Sequence, residues 1–101
     1  PVSQFHSLII PKRHIQNYFD LTNNELLACH SLILRIKNKI NSEDNTVKGF
    51  NIGVNSEKVA GQSIFHCHIH LIPRRKGDVD NPQGGVRRVI PSRQYYARKS
   101  K

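Results

Sequence analysis

The sequence predicts a single small domain of the α+β class, on three observations. One stretch, about Asn23 to Asn41, spaces its apolar residues as a helix does. Three shorter stretches are β-rich or alternate apolar with polar residues. The length, 101 residues, allows one compact domain with a modest core. A lone domain of that size is marginal, so support from a partner subunit is expected.

The first strand is expected over His6 to Ile10, "HSLII", ended by Pro11, which has no N–H to give a ladder. The connector "KRHIQNYFDL" is expected to tuck Ile15, Tyr18 and Phe19 under the domain. The helix start is legible in "LTNNEL". Thr22 can accept from the N–H of Glu25 while Glu25 reaches back to Thr22, and Leu21 can staple onto Leu26. Leu26, Cys29, Ile33, Ile36 and Ile40 then form one apolar stripe, which Leu27, Leu32 and Leu34 are expected to broaden. Turn formers, "NSEDN", follow. "GFNIGV" alternates as a half-buried strand does, "NSEKVAG" is a loop, and "SIFHCHIHLI" reads as the last strand, ended by Pro73. Beyond Arg74 the chain is rich in Gly, Pro, Asp and Arg and shows no period. No repeat or separate linker is evident, so residues 1–101 are read as one domain.

Composition narrows the class. Hydrophobic residues are 37% and charged residues 23%, which suits neither a disordered chain nor a membrane span, and no apolar run reaches transmembrane length. The opening lacks a signal-peptide pattern, so a soluble cytoplasmic protein is the default expectation. Cys29 and Cys67 give no disulfide framework and are read as free thiols. The chain opens on Pro1 as if inside a fold, so an N-terminal piece is expected to be missing. Sixteen Lys and Arg against seven Asp and Glu give +9, an excess that attracts anions. A basic tail from about residue 93, together with Arg87 and Arg88, accounts for much of it, so charge alone selects no partner.

The chemistry is concentrated in "HCHIH", residues 66–70. On a strand His66, His68 and His70 project to one side, with neighbouring Cα atoms roughly 6.5–7 Å apart, while Phe65, Cys67, Ile69 and Leu71 project to the other and can pack on the helix. Two active uses compete. Histidines two apart on a strand can bind zinc, but no Asp or Glu lies near the run, the nearest being Glu57 and Asp78 in loops. Alternatively a neutral imidazole attacks phosphorus while its neighbours donate hydrogen bonds to the phosphate oxygens, which needs no metal.

"AGQSIFHCHIHLIPR", residues 60–74, resembles the signature of the histidine triad superfamily, in which histidines alternate with hydrophobic residues after a Gly-Gln-Ser or Gly-Gln-Thr turn. "PVSQFHSLIIPKRH" is similar to the family's Pro-Val-Ser-x-Gly-His strand, with Phe5 where glycine is usual. "FNIGVN" resembles the strand before the triad, and "GDVDNPQGGVRRVIP" resembles the tail of a prokaryotic branch of nucleotide hydrolases and transferases. The resemblance covers nearly the whole chain and lacks the family's N-terminal short helix and hairpin. It implies an antiparallel sheet with the main helix on one face and the histidines on the other, and a homodimer.

The resemblance also implies roles. His68 matches the nucleophile that attacks the α-phosphorus, His66 and His70 the flanking histidines that hold phosphate oxygens and assist the leaving group, and His6 the fourth histidine that supports them. Gln62 and Ser63 match phosphate-binding residues, and Asn51 a polar residue reaching the same phosphate, with Asn55 close enough to serve instead. His14 and His30 are read as structural. The expected activity is cleavage at the α-phosphate of a nucleotide, a dinucleoside polyphosphate such as diadenosine tetraphosphate or a nucleoside phosphoramidate. It proceeds through a nucleotidyl-histidine intermediate and needs no cofactor beyond a divalent cation carried in by the substrate. The alternatives are a nucleotide-binding regulatory module with little turnover and a histidine-ligated metal hydrolase. Nucleic-acid end processing rests on charge alone and is disfavoured.

Overall fold

The computed structural model describes residues 3–94. Its main elements are β1 (Ser7–Ile9), α1 (Asn23–Glu43), β2 (Val47–Gly53) and β3 (Ile69–Arg75), with 3-10 turns at Tyr18–Asp20, Lys58–Ala60, Pro82–Val89 and Pro91–Arg93. The strands form one antiparallel sheet in the order β1-β3-β2, so the last strand lies in the middle. This is the α+β arrangement expected. Pro1, Val2 and the basic tail beyond Gln94 lie outside the described residues.

The N-terminus of α1 forms as its sequence dictates. Glu25 N–H donates to Thr22 Oγ1 at 3.1 Å and Thr22 N–H donates to a Glu25 oxygen at 2.8 Å, satisfying two donors that the first turn would otherwise leave unpaired. Arg13 adds two hydrogen bonds to the same carboxylate, 2.8 and 3.1 Å, and so ties the connector to the helix. The Arg13 guanidinium and the Thr22 backbone hold the Glu25 carboxyl down at about 2. The helix runs past Asn41 to Glu43 and stops at Asp44, whose carboxylate takes bonds from Thr46 and, at 2.9 Å, from Arg75 at the end of β3.

One face of the sheet carries the core. Ile9, Ile69 and Leu71 pack against Cys29, with Ile33, Ile36 and Phe50 around them, and a second cluster joins Ile15, Leu21 and Cys67. Three strands cover only one stripe of α1, so Leu27, Leu32 and Leu34 do not widen the buried face but are exposed, Leu27 by 65%. Phe19 is likewise 82% exposed instead of tucked under, because the 3-10 turn at Tyr18–Asp20 sends Tyr18 inward in its place.

β1 is one residue shorter at each end than expected and β2 begins at Val47 and ends at Gly53, while both ends of β3 differ more. Pro73 does not end β3, which continues to Arg75. β1 pairs only as far as Leu71, so beyond that point one side of β3 has no ladder, and a residue without an N–H is tolerated there. At its other end β3 begins at Ile69, not Ser63, because its neighbours run out. β1 stops at Ile9 opposite Ile69, just before Pro11, and β2 stops at Gly53 opposite His70. A lone bond, Cys67 N–H to Ile15 O at 2.7 Å, carries the chain on outside the ladder. Alternation persists through it, with Cys67, Ile69 and Leu71 buried and His66, His68 and His70 half-buried. It fails further upstream, where Phe65 is 49% exposed and not in the core.

Candidate active site

His6 enters the site from a turn that precedes β1. His6 N–H donates to Ser3 O at 3.1 Å, and Phe5, the third residue of that turn, has φ 69°. A turn with positive φ at its third residue is one that glycine supplies without strain and phenylalanine does not. Phe5→Gly is therefore expected to raise stability by about 1 kcal/mol, the strain relieved exceeding the entropy lost, and thermal unfolding checks it.

From this turn the His6 ring reaches across the sheet. Its Nε2 lies 2.9 Å from His70 Nδ1, and the two rings stack with centroids 5.1 Å apart. His70 in turn meets His68 edge-on at 5.1 Å. The three imidazoles form one connected group on the face opposite Ile69 and Leu71. The ring of His66 takes another direction: its Nε2–H donates to Pro11 O at 3.1 Å, and His14 packs on it edge-on at 4.6 Å. His14, read from sequence as structural only, thus contacts the triad. Its place in "PKRH" is the signal that pointed there, since Pro11 supplies the carbonyl that orients His66.

A carbonyl can only accept, and this fixes a tautomer. His68 Nδ1 lies 2.9 Å from His66 O, so Nδ1 carries the proton and donates it, and the Nε2 of the neutral ring keeps its lone pair. The same reasoning places the proton of neutral His66 on Nε2.

Burial lowers the pKa of both His6 and His70, and for His70 the neighbouring His68 and His6 act in the same direction. Below a pH of about 6.5 the unfolded chain takes up protons at these positions that the folded chain refuses, so stability present above that pH is lost as pH falls through this region. Thermal melts should show a decline from pH 7.5 to 5.5, and the decline should be shallower in His70→Asn.

The loop before the triad is pinned by Gln62, only 3% exposed. Its side-chain N–H groups donate to Gln16 O at 2.9 Å and Ile64 O at 3.2 Å, and its oxygen accepts from Glu57 N–H at 2.8 Å. The side chain is engaged with backbone, so in this arrangement it holds the loop and does not offer the phosphate contact that the resemblance implies. Ser63 beside it is exposed. Asn51 lies on β2 opposite Ile72, and its oxygen accepts from Arg74, which also grips Asp78 at 2.8 and 2.9 Å. Sequence reasoning did not single out Arg74. Asn55 reaches Gly61 O at 3.5 Å. His30 lies on α1, away from the group. Among the described residues no three His, Cys, Asp or Glu side chains converge on a point that would hold a metal ion.

An antiparallel sheet with one helix behind it and connected histidines in front defines a class, and comparison with known proteins agrees. The family model described as HIT domain matches residues 1–77, and the chain belongs to that family. It is similar to the adenylylsulfatase HINT3 of Arabidopsis thaliana, 41% identical over 77% of this chain and 39% of that protein. It is also similar to the bis(5'-adenosyl)-triphosphatase of Dictyostelium discoideum, 36% identical over 80% of this chain and 54% of that protein. A crystal structure of a HIT family protein from Bacillus anthracis superposes with a TM-score of 0.68 and 34% identity, over 99% of this chain and 60% of that one. The chain therefore spans about half the length of these curated relatives.

Proposed function

We propose that this domain carries the reaction centre of a nucleotide hydrolase or transferase, with His68 as nucleophile. The observation that carries the reading is the His68 Nδ1–H bond to His66 O, because it leaves an Nε2 lone pair on the ring that meets His70, which His6 meets in turn. In the first step His68 Nε2 forms a bond to the α-phosphorus and the bond from phosphorus to the leaving group breaks. His70 donates to a phosphate oxygen, His66 stays bonded to Pro11 O and orients His68 through its own carbonyl, and a flanking imidazolium gives the leaving group its proton. In the second step water attacks the same phosphorus, its proton passes back to the group that gave one up, and the bond to Nε2 breaks. His6 holds His70 in orientation, Ser63 and Asn51 supply further contacts to phosphate oxygens, and Gln62 keeps the approach loop in place.

The names of the two relatives support a substrate that bears an adenosine phosphate, with leaving groups as different as sulfate and a nucleotide. For this chain the expected substrates are dinucleoside polyphosphates such as diadenosine tetraphosphate, or nucleoside phosphoramidates. Full-length protein incubated with diadenosine tetraphosphate and with adenosine 5'-phosphoramidate should release AMP from at least one of them. Binding without release would instead favour a nucleotide-binding module.

A homodimer belongs to the same reading. The outer edge of β2 is unpaired among the described residues, with exposed Ile52 on it and exposed Leu27 on the neighbouring helix. Equilibrium sedimentation should return twice the monomer mass, and Leu27→Glu should lower it.

A further inference from the structure

The segment that follows β3 has no part in the chemistry described above, yet it folds back over the sheet on the histidine side. Between it and the β2–β3 surface lies a hollow of about 360 Å³, within the range of small-ligand sites. His70 stands at its wall, together with Ile72, Val79, Val86, Val89 and Arg88. Gly85 makes this wall possible. Its backbone, φ 43° and ψ −126°, breaks the 3-10 run at Pro82–Val89 and is a conformation that L side chains rarely adopt, and Gly85 itself lines the hollow. Arg88 is held in place by a bond from its guanidinium to Asn81 O at 3.1 Å.

We propose that this hollow is the leaving-group subsite, and that it takes a base-bearing leaving group; the inference rests on the reaction proposed above. The placement supports it. His6 covers His70 from the β1 side, whereas the hollow opens on the β2 side. His68 is not among the hollow's walls, whereas its neighbour His70 is, so a group lodged there lies beyond His70 from the nucleophile. That is the side to which an in-line displacement sends the departing group. The lining chemistry suits its two parts. Valine and isoleucine side chains match the faces of a heteroaromatic base, and the Arg88 guanidinium matches the phosphates between base and scissile bond. The C-terminal segment thereby becomes a specificity element, favouring dinucleoside polyphosphates over substrates whose leaving group is small.

The test compares two substrates that share the adenylyl group and differ in what leaves: diadenosine tetraphosphate and adenosine 5'-phosphoramidate, whose leaving group is ammonia. Val86→Asp in the full-length protein places a like charge among the departing phosphates. The ratio of kcat/KM for the first substrate over the second should fall at least about tenfold. Arg88→Gln should lower the same ratio and serves if the first variant does not fold. A ratio unchanged within twofold in a folded variant, or equal losses on both substrates, overturns the assignment, the second result placing the shared adenylyl group in the hollow. Should wild-type protein turn over neither substrate, the reaction itself is refuted. The subsite is then decided by competition binding, in which Val86→Asp should weaken diadenosine tetraphosphate about tenfold more than AMP, and equal weakening rejects it.

Discussion

Replacing His68 by alanine is expected to abolish turnover while leaving nucleotide binding in place. The variant loses the atom that forms the bond to phosphorus, and no neighbour can substitute. His66 is turned to Pro11 O, and His70 shares its Nδ1 with His6. Removing a nucleophile from a preorganised site costs about 10⁴-fold or more in kcat, equivalent to about 5 kcal/mol of transition-state stabilisation. AMP binding should change by no more than a few-fold, because the flanking imidazoles and the loop before them remain. Single-turnover kinetics and calorimetry on the same preparation separate the two quantities. A residual rate within tenfold of wild type would mean that His68 does not attack.

The second large effect is on stability. Gln62→Ala removes the partners of Gln16 O, Ile64 O and Glu57 N–H, which a buried side chain now satisfies although the residues that carry them are themselves exposed. Backbone groups left unpaired when buried cost about 1–3 kcal/mol each, and partial relaxation of the loop lowers the sum to about 3 kcal/mol. For a domain of this size that corresponds to a melting temperature lower by roughly 15 °C. If Gln62 served only to touch phosphate, KM would rise and the melting temperature would stay where it is. Measuring both distinguishes an anion ligand from a residue that positions the approach to the triad.

The helix and the site were legible for local reasons. Thr22, Glu25 and the stripe from Leu26 to Ile40 specify a capped amphipathic helix without reference to anything distant, and the period-two pattern of residues 66–70 survives even where no ladder holds it. Strand limits were less legible, because they depend on partners. Nothing in "SIFHCHIHLI" says that β1 ends opposite Ile69, or that β3 passes through Pro73 once β1 has dropped away. The exposure of Leu27, Leu32 and Leu34 is of the same kind: helical spacing says which residues share a side, and the width of the opposing sheet decides how many are covered. Phe5 runs the other way. Its departure from the glycine of the resembling pattern marked a position that the backbone at φ 69° does require to be special. What sequence spacing concealed at the site is direction. His66, His68 and His70 are equivalent as letters, yet one ring faces Pro11 and His14 while the other two meet each other, and the fold alone sets that.

The stereochemical course at phosphorus is the measurement that bears most directly on covalent catalysis by His68. A substrate made chiral at the α-phosphorus with sulfur in place of one oxygen, hydrolysed in isotopically labelled water, yields AMP thiophosphate whose configuration can be read by phosphorus NMR. Two successive in-line displacements, first by His68 Nε2 and then by water, predict overall retention. Inversion would mean that water attacks the substrate directly, and would contradict a nucleotidyl-histidine on this chain.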